Sequence, residues 1–314
     1  MSRTTAASGA VRDQLPEPRS LWIRYRPRRW PTRDDAFVDL AAGTLGAPDP
    51  GAEISAELAD AALDDLLYLP PVPAAAAATR DGLVRSHAAR GTPVLVQRLP
   101  GDPPAIPEAW PVLDLLPVAM GRLEPDEAFA GVAGGGAVWP LLPGQEAGSW
   151  ERVTAAAREA GVTALQPLPL ELDARQRRSL AELSPDPSRF DALFHGRAPE
   201  PREVARVIVA HGLEPLLPRP LPRPPLRSGP NLRLASLLAV AGELSVWLGE
   251  PDSRSQSLLR AARWAERVPQ SLEALAREGN LGVLPWLEGE PRRLVEEALA
   301  APRPPLVQDL LARL

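Results

Sequence analysis

Six short apolar runs in the first two thirds of the chain end in Leu-Pro, at Leu69-Pro70, Leu99-Pro100, Leu116-Pro117, Leu142-Pro143, Leu168-Pro169 and Leu217-Pro218. A proline cannot donate a hydrogen bond to a neighbouring strand, so it suits the end of a strand better than its middle. Most of these runs lie between stretches with helical periodicity. The repeat therefore predicts successive β-strands that stop at one rim and alternate with helices.

The apolar runs predict eight strands, at 36–41, 66–69, 93–99, 112–116, 137–142, 162–170, 191–194 and 213–217. Helical periodicity, N-terminal capping residues and terminal glycines mark helices between most of them. An α/β fold with a (β/α)8-like, TIM-type barrel fits this alternation. An open doubly wound sheet is the alternative.

Composition changes divide the chain into four segments. Residues 1–35 form a leader that we expect to be flexible, ending in a segment rich in Arg and Trp, and residues 36–220 form the barrel-like domain. A Pro/Arg linker follows at 221–230, where polyproline II structure would separate two domains. Residues 231–314 show helical periodicity throughout and predict a small all-α domain.

The residues that are absent exclude several classes of chemistry. The chain has no Cys, which removes thiolate nucleophiles, disulfides and Cys-ligated clusters, and its 35 basic residues are all Arg, which removes catalytic lysines. There are only three His residues, so a metal site with several His ligands would need nearly all of them, and the net charge is −5. We expect no cofactor, no metal and no membrane contact. Without an apolar signal segment at residues 1–14, a cytoplasmic location follows by default.

Barrel enzymes place their reacting groups at the carboxyl ends of the strands. The ionisable residues expected at that rim are His195, Asp114, Glu171 and Asp39 as catalytic candidates, with Arg98 and Arg219 as anion-binding candidates. His195 directly follows a predicted strand and would be the base or ligand. A strand-end His that only hydrogen-bonds a neighbouring loop is the structural alternative.

A basic and aromatic segment precedes the first predicted strand. It contains Trp22, Arg24, Arg26, Arg28, Arg29 and Trp30, and no acidic residue occurs between Glu17 and Asp34. Arginines could contact phosphates while the indole rings stack on bases, as in proteins that bind single strands. The alternative is a basic arm that lies over an acidic protein body.

The helical C-terminal residues resemble a known family. The segments that support the resemblance are Arg260-Ala-Ala-Arg263-Trp264-Ala, the stretch that follows it to Gly279, and Leu284-Pro285. They are similar to the helix-hairpin-helix domain of family X DNA polymerases. The hairpin glycines of that family, which approach a DNA phosphate, are replaced here by Trp286 and Glu288. The resemblance implies a helix-hairpin-helix fold, with weak, salt-sensitive DNA contact or a protein partner.

Residues 162–218 also look faintly like the closing strands of radical-SAM-type barrels, although a chain without Cys cannot hold their cluster. The sequence features together predict two alternative functions. The first is a non-catalytic, two-domain binding protein with a degenerate barrel, associated with nucleic acid as an accessory of DNA repair or processing. The second is a barrel enzyme that acts on a small anionic substrate with His195 and strand-end carboxylates.

Overall fold

The computed structural model describes residues 22–23, 37–39, 44–46, 67–69, 71, 77–89, 91, 94–102, 106–132, 134–145, 147–169, 199–217 and 231–314. These residues belong to two compact units, an α/β unit within Leu21–Leu226 and a helical unit within Arg227–Arg313. No helix among them is long and apolar enough to cross a bilayer.

The α/β unit contains eight short strands and five helices among its described residues. The strands are β1 Trp22–Ile23, β2 Phe37–Asp39, β3 Thr44–Gly46, β4 Leu67–Leu69, β5 Val94–Arg98, β6 Trp110–Asp114, β7 Gly136–Leu141 and β8 Ala164–Pro169. The helices are α1 Ala77–Ala89, α2 Leu116–Ala119, α3 Pro125–Ala128, α4 Ala147–Glu159 and α5 Pro201–Ala210.

Six of these strands form one parallel sheet in the order β1-β4-β5-β6-β7-β8. A parallel bridge between Ala164 and Glu214 adds chain beyond β8. From β4 onward, each strand pairs with the next strand in sequence. The predicted α/β class, with parallel strands alternating with helices, is confirmed.

The predicted first strand is present, but it lies outside this sheet. Phe37–Asp39 pairs antiparallel with Thr44–Gly46 as a separate two-stranded sheet. The edge of the parallel sheet is instead formed by Trp22–Ile23, which pairs with β4. The strand predicted at 191–194 lies outside the described residues.

The Leu-Pro dipeptides mark the carboxyl ends of the strands in most cases. Leu69 and Pro169 are the last residues of β4 and β8, and Leu99-Pro100 and Leu142-Pro143 directly follow β5 and β7. Leu116-Pro117 differs, because β6 ends earlier at Asp114 and α2 begins at Leu116 with the proline in its first turn. A proline is tolerated there because the first turn of a helix leaves its N–H groups unbonded.

One face of the parallel sheet packs against the helices. Leu113, Trp139 and Leu165 on that face are buried in one cluster with residues of α2, α3, α4 and α5. Val94 and Val96 on the same face are buried with Val84 of α1. Apolar side chains at every second strand position thus hold the helical layer.

The opposite face is also buried, but its cluster contains no helical residue among those described. Leu95, Val112 and Val138 form its centre, with Trp110, Leu168 and Leu217 packed against them. Gly136 belongs to this face, where a Cβ atom would lie 2.5 Å from a ring carbon of Trp110 and 2.6 Å from a methyl of Leu217. Packing therefore explains why the first residue of β7 is a glycine.

The helical unit contains five α-helices and one 3-10 turn. They are α6 Leu232–Trp247, α7 Asp252–Arg267, α8 Leu272–Arg277, the 3-10 turn Leu281–Val283, α9 Glu290–Ala300 and α10 Pro305–Ala312. The first pair packs closely, since a Cβ on Gly242 would meet Leu259 side-chain carbons at 2.7 and 2.8 Å. All six elements lie within residues 231–314, for which the sequence predicts helices.

A single buried amide joins three of these helices. Asn231, fully shielded from solvent, donates from Nδ2 to the carbonyl oxygens of Val268 at 3.1 Å and Gln270 at 2.9 Å. Its Oδ1 accepts the Leu272 N–H at 2.8 Å. One side chain thus connects the start of α6 with the end of α7 and the start of α8.

Candidate functional site

The carboxyl edge of the parallel sheet contains a buried amide–carboxylate pair. Gln97 near the end of β5 donates from Nε2 to Oδ2 of Asp114, the last residue of β6, at 2.8 Å. Both side chains are completely shielded from solvent. Strand register explains the contact: Gln97 lies opposite Val112, so Asp114 is its diagonal neighbour on the same face. This is the face of the sheet on which the structure describes no helix, with Leu95, Val112 and Val138 at its centre.

The second oxygen of Asp114 is also engaged. Oδ1 accepts the backbone N–H of Leu116 at 2.8 Å, at the first turn of α2. Each carboxylate oxygen therefore has a donor supplied by the protein itself. In this arrangement the carboxylate fixes the β6–α2 connection and the orientation of the Gln97 amide.

Arg98 lies on the other face of the sheet from this pair. Side chains alternate along β5, and the register places Arg98 opposite Leu113, which faces the helical layer. Its Nη2 donates to the carbonyl oxygen of Asp102, while its Nε is buried with no hydrogen-bond partner among the described residues. Only 8% of Arg98 is exposed.

A tight turn follows β5 and holds Asp102 close to Arg98. The Asp102 N–H bonds the Leu99 carbonyl at 3.1 Å, and Asp102 Oδ2 accepts the Leu99 N–H at 2.8 Å. Gly101 in this turn has a φ of 85°, which a residue with a Cβ rarely adopts. Asp102 is not among the residues predicted from the sequence, although Pro100-Gly101 just before it is a turn signal.

Burial changes the acid–base properties of this pair. Desolvation lowers the pKa of the Arg98 guanidinium, an effect that Asp102 opposes and the nearby Arg80 reinforces. Desolvation also raises the pKa of the Asp102 carboxyl, against the Leu99 N–H and the charges of Arg98 and Arg80. Arg80 is itself buried on α1 and ion-paired with Asp81 at 2.9 Å. The two arginines and two carboxylates balance in formal charge.

Most of the other candidates from the sequence lie outside the described residues, namely His195, Glu171, Arg219, Arg24, Arg26, Arg28, Arg29 and Trp30. Asp39 and Trp22 are described by their backbone alone, in β2 and β1. Of the rim candidates, only Asp114 and Arg98 can thus be compared, and the structure puts them on opposite faces of the sheet. Because β1 is parallel to β4, its carboxyl end belongs to the same edge.

The helical unit exposes an arginine–tryptophan surface on α7, which we call the basic face: Arg260, Trp264 and Arg267. Their spacing of four and three residues places them along one side of the helix. Trp264 is 44% exposed, and Arg260 and Arg267 are exposed with no ion pair among the described residues. Trp264 is therefore a surface residue rather than a core residue.

The loop between the 3-10 turn and α9, where the sequence resemblance predicts a hairpin, is acidic. Glu288 is exposed, and Gly289, with a φ of 60°, is the N-cap of α9. Glu290 in the first turn of α9 is ion-paired with Arg254, whose Nε lies 2.6 Å from Glu290 Oε2. Two carboxylates thus occupy the helix start at which a phosphate would otherwise be favoured.

A cleft of about 370 Å³ between α7, α9 and α10 is lined by ion-paired arginines. Arg254 contacts both Glu250, at 2.9 Å, and Glu290, while Arg313 contacts Glu250. Arg293, also in the lining, pairs with Glu297 at 2.7 Å. Arg254 and Arg313 thus connect different helical segments, whereas Arg293 is paired within α9.

Comparison with protein-family models, curated proteins and solved structures found no match to this chain. Within the described ranges, no group of three or more His, Asp or Glu side chains is arranged to hold a metal ion.

Proposed function

We propose that this chain is a non-catalytic, two-domain binding protein that associates with single-stranded nucleic acid through Arg24, Arg26, Arg28 and Arg29, with Trp22 and Trp30 as stacking residues. The observation that favours binding over catalysis is the state of Asp114. Its two oxygens already accept hydrogen bonds from Gln97 and Leu116 within a fully buried environment. A general base needs an oxygen that can reach a substrate proton.

The enzyme alternative also needs a cation at the rim to hold a small anion. Of the two predicted anion-binding residues, Arg98 is the one that the structure describes. Its side chain lies on the helix-facing side of the sheet and is hydrogen-bonded to the turn that follows β5, at Asp102. These contacts support a structural role for both residues. They favour a scaffold whose ligand is bound elsewhere.

The basic segment begins directly after β1 in sequence, at Arg24. The carboxyl end of β1 belongs to the rim edge of the parallel sheet. Four arginines within six residues, without an acidic neighbour before Asp34, would neutralise successive phosphates despite the chain's net charge of −5.

For the α/β unit we propose a closed (β/α)8-like barrel. Three observations support it: the strands follow chain order, the described helices of the unit pack on one face, and the other face is buried without a described helix. A doubly wound sheet would need helices on both faces. For the helical unit we propose a helix-hairpin-helix domain of the polymerase X type, supported by the succession of α8, the 3-10 turn and α9.

The test is fluorescence anisotropy with a labelled oligothymidylate over a salt series. We expect binding at low salt that weakens as salt rises. The logarithm of the binding constant should fall with the logarithm of the salt concentration, with a slope of about 0.7 for each contacted phosphate. The variant Arg28→Gln/Arg29→Gln should bind less tightly and lose about 1.4 from that slope. Its matched control is Arg85→Gln/Arg158→Gln, which removes two exposed arginines of the α/β unit.

Two results would refute the proposal. One is the absence of binding at low salt, and the other is equal affinity of the arm variant and its control. Loss of a slow turnover of small phosphate or carboxylate compounds in Asp114→Asn, with the fold intact by circular dichroism, would instead support the enzyme alternative.

A further inference from the structure

The helical unit has a second unusual surface, which we call the acidic face: Glu278, Val283 and Glu288. Val283 is 65% exposed, the highest exposure among the large apolar residues described. The two glutamates are exposed, and neither is ion-paired with an arginine in the described part of the chain; Glu278 accepts only a 3.3 Å hydrogen bond from Asn280. All three belong to the short segment between α8 and α9.

The acidic face resembles the basic face with the charges reversed, since each combines one exposed apolar side chain with two exposed charges that have no ion pair among the described residues. In sequence, Val283 lies between Glu278 and Glu288, and Trp264 lies between Arg260 and Arg267. Two neighbouring arginines are instead paired locally. Arg277 bonds Glu273, and Arg292, whose Nη1 would lie 3.6 Å from a Cβ on Gly282, bonds Glu296.

We propose that the protein self-associates head to tail, the basic face of one copy (Arg260, Trp264, Arg267) contacting the acidic face of another (Glu278, Val283, Glu288). The inference rests on the proposed role as a binding protein and names a partner for its helical unit. Trp and Arg are the residues most enriched at the energetic centres of interfaces. The exposed indole would cover Val283 while the four charges form two intermolecular pairs.

The charges on the helical unit favour a second copy of the chain, rather than nucleic acid, as the partner of the basic face. The basic face supplies two guanidinium groups about 10 Å apart along α7, at 1.5 Å per residue. That length suits a compact acidic surface, whereas single-strand binding needs a basic groove that follows several phosphates. The carboxylates at Glu288 and Glu290 would repel such a strand near the loop.

The contact is heterologous, because different residues of each copy meet, so it does not close at two subunits unless the geometry forms a ring. With two ion pairs and one apolar contact, it belongs to the weak, transient size class. We therefore expect concentration-dependent chains that shorten as salt rises.

The test is sedimentation velocity of the full-length protein from about 1 to 500 μM at low and high salt. The wild type should show a weight-average sedimentation coefficient that rises with concentration at low salt. The variant Arg260→Glu/Arg267→Glu and the variant Glu278→Arg/Glu288→Arg should each sediment as monomers. Mixed in equal amounts, they should co-assemble, since one variant then has acidic residues on both faces and the other has basic residues on both.

The control Arg85→Glu/Arg158→Glu makes the same charge change on the α/β unit and should associate like the wild type. Trp264→Ala, which removes an exposed ring and should leave the fold intact, should weaken association at least several-fold. A wild type that stays monomeric at 500 μM, or variants that do not complement each other, would overturn the proposal.

Two further measurements separate this proposal from the proposed function. Arg28→Gln/Arg29→Gln should lose oligonucleotide affinity and keep self-association. Trp264 emission, measured as the difference between wild type and Trp264→Ala, should change with protein concentration and not with oligothymidylate. A response to the oligonucleotide alone would assign the basic face to nucleic acid and refute self-association.

Discussion

The buried amide of Asn231 gives the sharpest prediction for the helical unit, because its three hydrogen bonds join α6, α7 and α8. Asn231→Ala removes all three and leaves the buried Leu272 N–H without its acceptor. At roughly 1 kcal/mol for each bond, with an added penalty for the unpaired N–H, we expect a loss of about 2–4 kcal/mol.

Asn231→Asp separates geometry from chemistry, since the side chain keeps its size and can still accept the Leu272 N–H. At neutral pH the carboxylate faces the Val268 and Gln270 carbonyl oxygens that Nδ2 had bonded at 3.1 and 2.9 Å. The loss should reach about 3–5 kcal/mol, as for an uncompensated buried charge.

The loss in Asn231→Asp should depend on pH with a defined sign. Burial and the two carbonyls raise the pKa of the introduced carboxyl in the folded state above its unfolded value near 4. The destabilisation is therefore smallest below about pH 4, and it grows as the pH rises through the folded-state pKa. Asn231→Ala should show no such dependence.

The assay is hydrogen–deuterium exchange of the full-length chain, comparing peptides from α6 to α8 with peptides from β5 to β7 as an internal reference. Faster exchange confined to the helical unit is expected. The reasoning fails if Asn231→Asp stays within about 0.5 kcal/mol of the wild type at pH 7, or if its loss does not change with pH.

Two other perturbations follow from contacts described above. Gly136→Ala should lower the free energy of unfolding in urea by about 1–3 kcal/mol, because the added methyl overlaps Trp110 and Leu217. Gly148→Ala, with open space around it, should change this free energy by less than about 1 kcal/mol. Equal effects would contradict the packing described for the sheet face that contains Gly136. Hydrogen bonds from Arg313 and then Arg254 lower the pKa of Glu250. Their contribution to folding stability is therefore present above the unfolded-state pKa and is lost as the pH falls through the folded-state pKa. If stability falls with acid in Glu250→Gln as it does in the wild type, these pairs contribute nothing to stability.

Strand-end prolines predicted the sheet because the physics of Leu-Pro is local. A residue without an N–H cannot donate to a ladder, so the ends of β4, β5, β7 and β8 could be placed within a residue or two. Proline alone does not end a strand, however, because Pro111, Pro140 and Pro167 lie inside β6, β7 and β8. The same rule failed at Leu116-Pro117, because the first turn of a helix tolerates a proline equally well. Local sequence could not distinguish the two environments.

Pairing partners were less accessible to prediction. The apolar run at 36–41 does contain a strand, yet its partner is the neighbouring Thr44–Gly46, while the two-residue strand Trp22–Ile23 joins the parallel sheet. A strand of two residues has too few side chains to show alternation. Helix α10 was detectable, since Pro304-Pro305 is a typical helix start.

The candidate site was predictable in residue type and only partly in geometry. Asp114 was identified as a rim carboxylate, and Gln97 becomes its partner only through the β5–β6 register. Arg98 follows Gln97 directly and therefore points to the opposite face. Whether a strand residue lies under the helices or on the other face of the sheet depends on the tertiary structure and cannot be read from the local sequence.

The strand order has a consequence for how the sheet is made. From β4 to β8, each strand pairs with its predecessor in the chain, so each new strand finds its template already synthesised. Such a sheet can grow during translation one strand at a time, with short loops to close. Only β1 must wait for a distant partner, β4, across the segment between Ile23 and Leu67. A nascent chain released after β7 would therefore already contain the residues that bring Gln97 and Asp114 together.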